Sequence, residues 1–113
     1  MSSFITSIKE NNSIIIIETN GYLNNTGGEA IAEIVYDKIK QGHTKFLINM
    51  GSTKIVNSIG VSILIEIIEK LQSVDGKLGY YNLAPIVAKT FNIMGLTKYS
   101  TLFESEELAV NDI

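Results

Sequence analysis

Apolar and polar positions along this chain follow two rhythms. Phe4 to Lys9 reads as a short strand, and Ile14 to Ile17 is an unbroken β-branched run. A run without polar interruptions suits a strand buried on both faces. Asn11-Asn12 lies between them, and Asn tolerates the left-handed backbone angles of a turn. An antiparallel hairpin is therefore expected to open the chain, with Asn20-Gly21 ending its second strand. The rhythm then changes. Ile31, Ile34, Val35 and Ile39 fall on one helical face, and Thr26 with Glu29 has the spacing of a capping box. Glu29 and Glu33 early and Lys38 and Lys40 late suit the helix dipole, and Gly42 is a plausible stop after about Gln41.

Lys45 to Met50 predicts a central strand, Gly51 to Asn57 a loop, and a second helix from Ser58 onwards. Val61, Leu64, Ile68 and Leu71 carry its apolar stripe, which Ile63, Ile65 and Ile67 widen, while Glu66 and Lys70 are spaced for a favourable pair on the wet side. Asp75-Gly76 is a turn and Lys77 to Tyr81 a short strand. Pro85 suits the first turn of a third helix, lined by Val87, Phe91 and Met94 and closed by Gly95-Leu96. A short strand near Thr101 to Phe103 and a helix from about Ser105 finish the chain. The order ββαβαβα followed by βα predicts an α/β fold. Its sheet is mixed and mostly parallel, of four to five strands with an opening antiparallel hairpin, and three to four helices cover it.

Composition narrows the function more than the fold. At 113 residues, with 45% hydrophobic and 19% charged positions, residues 1–113 are expected to form a single domain. The net charge is −3 and the basic residues are scattered, so neither nucleic-acid binding nor direct attachment to an anionic membrane is expected. With no cysteine, thiolate metal sites, disulfides and Cys nucleophiles are excluded. The opening Met1-Ser2-Ser3-Phe4 lacks the pattern of a secretory leader, and the uncharged stretch Ile55 to Ile65 is too short to span a bilayer. A cytoplasmic location is expected.

Candidate chemistry is sparse. His43 is the one histidine, placed in a helix-to-strand turn with no second His for a metal pair. Neither a P-loop nor a dinucleotide fingerprint occurs, and Gly27-Gly28 has no nearby cation to help it cradle a phosphate. Glu104, Glu106 and Glu107 read as a solvated helix face rather than a cation site. The expectation is a protein that is not an enzyme and holds no cofactor or metal. The informative segment is Ile55-Val56-Asn57-Ser58-Ile59-Gly60, a strand-to-helix junction with polar residues between apolar ones. Ser58 can be read as a plain helix cap. It can equally be read as a hydroxyl whose phosphate would be tolerated by the free N–H groups and partial positive charge of a helix start. Residue chemistry leaves these two readings level.

The stretch Phe46 to Leu71 resembles the core of a STAS domain, the fold of bacterial anti-sigma-factor antagonists. The junction Asn57-Ser58-Ile59-Gly60 is similar to that family's Asp-Ser-x-Gly motif, Gly21-Tyr22-Leu23-Asn24 to its Gly-x-Leu-Asp turn, and Phe91 to Leu96 to the end of its third helix. The resemblance implies docking to an anti-sigma factor serine kinase of the GHKL type, with Ser58 as phosphoacceptor, and a phosphatase as a further partner. It implies partner contacts at Tyr22, Leu23, Asn24, Val56, Asn57, Ser58, Ile59 and Gly60. Asn57 replaces the family's usual acid and Ile59 a usually small residue. A scaffold or transporter-associated STAS module, bound without phosphorylation, is the alternative, and Asn57 favours it.

Overall fold

The computed structural model describes residues 3–113; Met1 and Ser2, part of the stretch read for a leader, lie outside the described residues. Five strands, β1 (Ile5–Asn11), β2 (Ile14–Leu23), β3 (Lys45–Val56), β4 (Lys77–Tyr81) and β5 (Thr101–Phe103), form one sheet in sequence order. Only β1 and β2 are antiparallel; the pairs β2–β3, β3–β4 and β4–β5 are parallel. The helices are α1 (Asn25–Lys40), α2 (Ser58–Gln72), α3 (Pro85–Ile93) and α4 (Glu106–Asp112). This is the mixed, mostly parallel sheet expected from the order of elements.

Both faces of the sheet are covered, which explains the continuous isoleucine run. Ile15 and Ile17 of β2 join Phe46, Ile48, Leu78 and Tyr80 under α1, α2 and α3. Ile14 and Ile16 point the other way and pack with Leu47 and Tyr81 beneath Ala109 of α4. On the three-helix face the Tyr80 and Phe91 rings meet edge to face, 5.0 Å between centroids. Gly28 lies where α1 crosses α2; a Cβ there would press to 3.0 Å on Ile63. That residue serves helix packing rather than an anion.

Several local expectations shift. The hairpin turn is Asn12-Ser13, both with positive φ (53° and 68°), one residue later than Asn11-Asn12. Asn20-Gly21 does not end β2. The strand continues to Leu23 through two register shifts, with Gly21 at φ 104° absorbing the bend. Most consequential is β3, which runs on to Val56 where a loop was expected over Gly51 to Asn57. Its polar residues mask a strand: Thr53 is fully buried, its hydroxyl 2.7 Å from that of Thr19, so a satisfied polar pair stands where an apolar one would be legible.

Candidate docking and modification site

Two strand-to-helix junctions with the same local design meet at one end of the sheet. Leu23 ends β2 and Val56 ends the adjacent β3, and the two are register partners. Each is followed by an extended asparagine that caps the next helix. The Gly27 N–H donates to Asn24 Oδ1 at 3.0 Å, and the Gly60 N–H to Asn57 Oδ1 at 2.8 Å. Asn is among the strongest N-caps because its side-chain oxygen satisfies one of the orphan amides of the first turn. Ser58 is thus the first helical residue and not the cap, and Thr26 lies inside α1 instead of opening a capping box. The signal that finds both caps is an Asn followed three residues later by Gly, which the Thr26–Glu29 spacing obscured.

The two junctions are locked together. The Asn57 N–H donates to the Leu23 carbonyl at 3.0 Å. Gly60 packs so closely on that same carbonyl that a Cβ would collide with it. Leu23 and Gly60 are buried, so they place the backbone and present no side chain outward. Asn24, Val56 and Asn57 are half-buried.

Ser58 itself is exposed, and among the described residues its hydroxyl makes no hydrogen bond. Its carbonyl accepts the Ser62 hydroxyl at 2.8 Å, inside the first turn. Around it stand large apolar side chains open to solvent: Tyr22 (44% exposed), Ile55 (59%) and Ile59 (56%). Tyr22 and Ile55 are register partners on β2 and β3. Ile55 opens the informative segment of the sequence but is not among the partner contacts that the resemblance implies. Between Gly51 and Ile65 the one charged residue is Lys54, so this end carries little charge of its own. A patch of this kind is suited to excluding water against a partner.

His43 and Glu106 lie elsewhere and are engaged. His43 sits in the turn before β3, Nδ1 3.3 Å from the Ser13 carbonyl and Nε2 3.7 Å from Glu10. Glu106 accepts the Tyr81 hydroxyl at 2.9 Å and faces the Lys9 ammonium at 3.3 Å. Among the described residues no three His, Cys, Asp or Glu side chains gather as a metal would require, and no helix is long and apolar enough to cross a membrane.

The family model of the STAS domain matches residues 6–109, nearly the whole chain. The chain belongs to the STAS domain family. Solved structures agree on the fold. An anti-sigma factor antagonist of Mycobacterium paratuberculosis superposes with a TM-score of 0.80 at 18% identity, covering 95% of this chain and 92% of its own. The Bacillus cell fate determinant SpoIIAA, in its phosphorylated form, gives 0.71 at 23% identity with 93% and 96% covered. A Thermotoga maritima protein assigned as an anti-sigma factor antagonist gives 0.85 at 15% identity with 95% and 92% covered. A comparison with curated protein sequences gives no match. In this STAS domain the two capped junctions stand at the carboxyl ends of adjacent strands, where open α/β sheets commonly bind their ligands.

Proposed function

We propose that this STAS domain is a cytoplasmic anti-sigma-factor antagonist. It docks an anti-sigma factor kinase of the GHKL type through the carboxyl end of its sheet and is switched by phosphorylation of Ser58, thereby regulating sigma-factor-dependent transcription. The observation that carries the reading is the exposed Ser58 hydroxyl, unengaged by its own chain and set beside Tyr22, Ile55 and Ile59. An unphosphorylated surface of this kind buries well against a partner. In the switching step Ser58 Oγ attacks the γ-phosphorus of ATP. The Oγ–P bond forms, the bond to the β-phosphate oxygen breaks, ADP leaves, and the hydroxyl proton goes to the kinase's base. The kinase supplies that base and Mg²⁺; the antagonist needs no cofactor of its own.

The product carries about −1.5 to −2 charges at pH 7 in the middle of an apolar patch. Desolvating that charge opposes docking, so the complex releases. The fold survives because the phosphate stands at the first turn of α2, where a negative group is favoured. A phosphatase would reset the switch.

One observation favours a second reading. Asn57 caps α2 without charge where the family usually has an acid, so a kinase selecting for that acid would find it missing. The domain would then be a scaffold or a transporter-associated module that stays bound. Recovering the protein from its own cell lysate with and without ATP, then weighing the intact chain, separates the two. Capture of a kinase without ATP, release with ATP and one phosphate mapped to Ser58 is the expected result. A partner that stays bound, with no change of mass, leaves the constitutive module. Ser58→Ala should still capture the kinase but no longer release it with ATP.

A further inference from the structure

Positive charge and exposed apolar surface coincide on one side of this acidic chain. Between Asp75 and Glu104 the sequence has three lysines and no carboxylate, against a net charge of −3 overall. Two of these lysines are Lys89 on α3 and Lys98 on the short 3₁₀ helix Leu96–Lys98 that follows it. Both are exposed, and among the described residues neither has an ion-pair partner. The same stretch carries the three most exposed large apolar side chains of the described residues: Ile86 (62%), Ile93 (72%) and Tyr99 (67%).

The fold does not account for them. α3 buries Val87 and Phe91 and has no side-chain cap at its start. Ile86 and Ile93 stand two turns apart and away from that buried side, about 10 Å from each other. Isoleucine is a poorer helix former than alanine, leucine or lysine, so neither residue is there for the helix itself. A lone exposed apolar residue is ordinary, but three on one helix and the turn after it form a patch. Beside them, between α2 and the end of α3, runs a groove of about 410 Å³ lined by Ile65, Met94, Leu96, Lys98 and Tyr99. Its one carboxylate, Glu69, belongs to the α2 wall.

We propose that this face docks an amphipathic helix of a partner protein, one whose apolar stripe is flanked by carboxylates. Charge complementarity selects the occupant. Lys89 and Lys98 lack partners within the chain, and carboxylates set opposite them would steer the encounter and fix the orientation. Apolar side chains spaced three and four apart on the incoming helix would cover Ile86, Ile93 and Tyr99. An anionic membrane asks for more charge: lipid-reading surfaces gather about four to eight lysines or arginines, and this face has only Lys89 and Lys98. The inference does not depend on what docks at Ser58.

Two synthetic helical peptides of about 18 residues test it, with the same leucine stripe and either glutamate or lysine on its flanks. Titrated into the isotopically labelled protein and followed by NMR, they report affinity and place together. The glutamate peptide should shift the amides of α3 and of the turn up to Tyr99, and the lysine peptide should bind at least about tenfold more weakly. Ile93→Asp should raise the Kd of the glutamate peptide at least about tenfold, with the fold intact because the residue is exposed. Lys89→Glu combined with Lys98→Glu should reverse the preference between the peptides. No binding of the glutamate peptide overturns the inference, as does equal binding of both. So does binding that gathers around Tyr22, Ile55 and Ile59. Self-association through this face, or sedimentation with phosphatidylserine vesicles, overturns it too if the glutamate peptide stays free.

Discussion

At the scale of single residues the site depends on two backbone contacts. Asn57 satisfies the Gly60 amide, and Gly60 lets α2 start against the Leu23 carbonyl. Asn57→Ala removes the cap and should cost about 1 kcal/mol in urea denaturation. Asn57→Asp keeps the cap and adds a charge that the helix dipole favours, so its urea midpoint should match or exceed that of the parent protein. Gly60→Ala is different in kind. Its methyl group has no space before the carbonyl, so the helix start must lift away. A loss of about 1–3 kcal/mol is expected, together with weakened partner capture, because Ser58 and Ile59 move with that turn.

Among the elements, α4 is the least self-sufficient. Its seven residues are too few to hold a helix alone, and it forms because Ala109 is buried on the sheet and Glu106 is tied to Tyr81. The Tyr81 hydrogen bond, helped by Lys9, holds the Glu106 carboxyl below its ordinary value, while burial and Glu106 push the Tyr81 phenol up. A depressed carboxylate contributes stability that is present above the unfolded value and is lost as the pH falls through the folded one. The α4 tether should therefore hold at neutral pH and weaken only in acid. Tyr81→Phe removes the larger cause. The Glu106 carboxyl should then titrate at higher pH, observable by carbon NMR, with a stability loss of about 1 kcal/mol at neutral pH. An unchanged Glu106 titration in that variant would refute the tether.

Across the whole molecule, β3 is the middle strand, and each face of it anchors a separate apolar cluster. Ile48 on the three-helix face is fully buried. Ile48→Ala should cost about 2–5 kcal/mol, a large share of the roughly 5–15 kcal/mol that holds a domain of this kind together. Equilibrium urea unfolding reads that loss directly as a lowered midpoint. By contrast Ile55→Ala, on the same strand but 59% exposed, should leave the midpoint nearly unchanged. If Ile55 belongs to the docking surface, that variant should weaken partner capture alone.

Order and type of elements were written along the chain itself. The isoleucine run of β2, the stripes of α1 and α2, Pro85 opening α3 and Gly95 at φ 85° closing onto buried Leu96 all follow from period and local backbone chemistry. Such signals act over a few residues, so they survive without the fold. What only the tertiary structure decided lies where distant segments meet. Thr53 is a strand residue because Thr19 satisfies its hydroxyl. β3 outruns its apolar stretch because β2 pairs with it as far as Val56. Asn57, and not Ser58, caps α2 with its own amide bonded to Leu23, a residue more than thirty positions away along the chain. That placement leaves the Ser58 hydroxyl free, since a capping side chain is turned inward onto the helix amides and the residue after it is turned out to solvent.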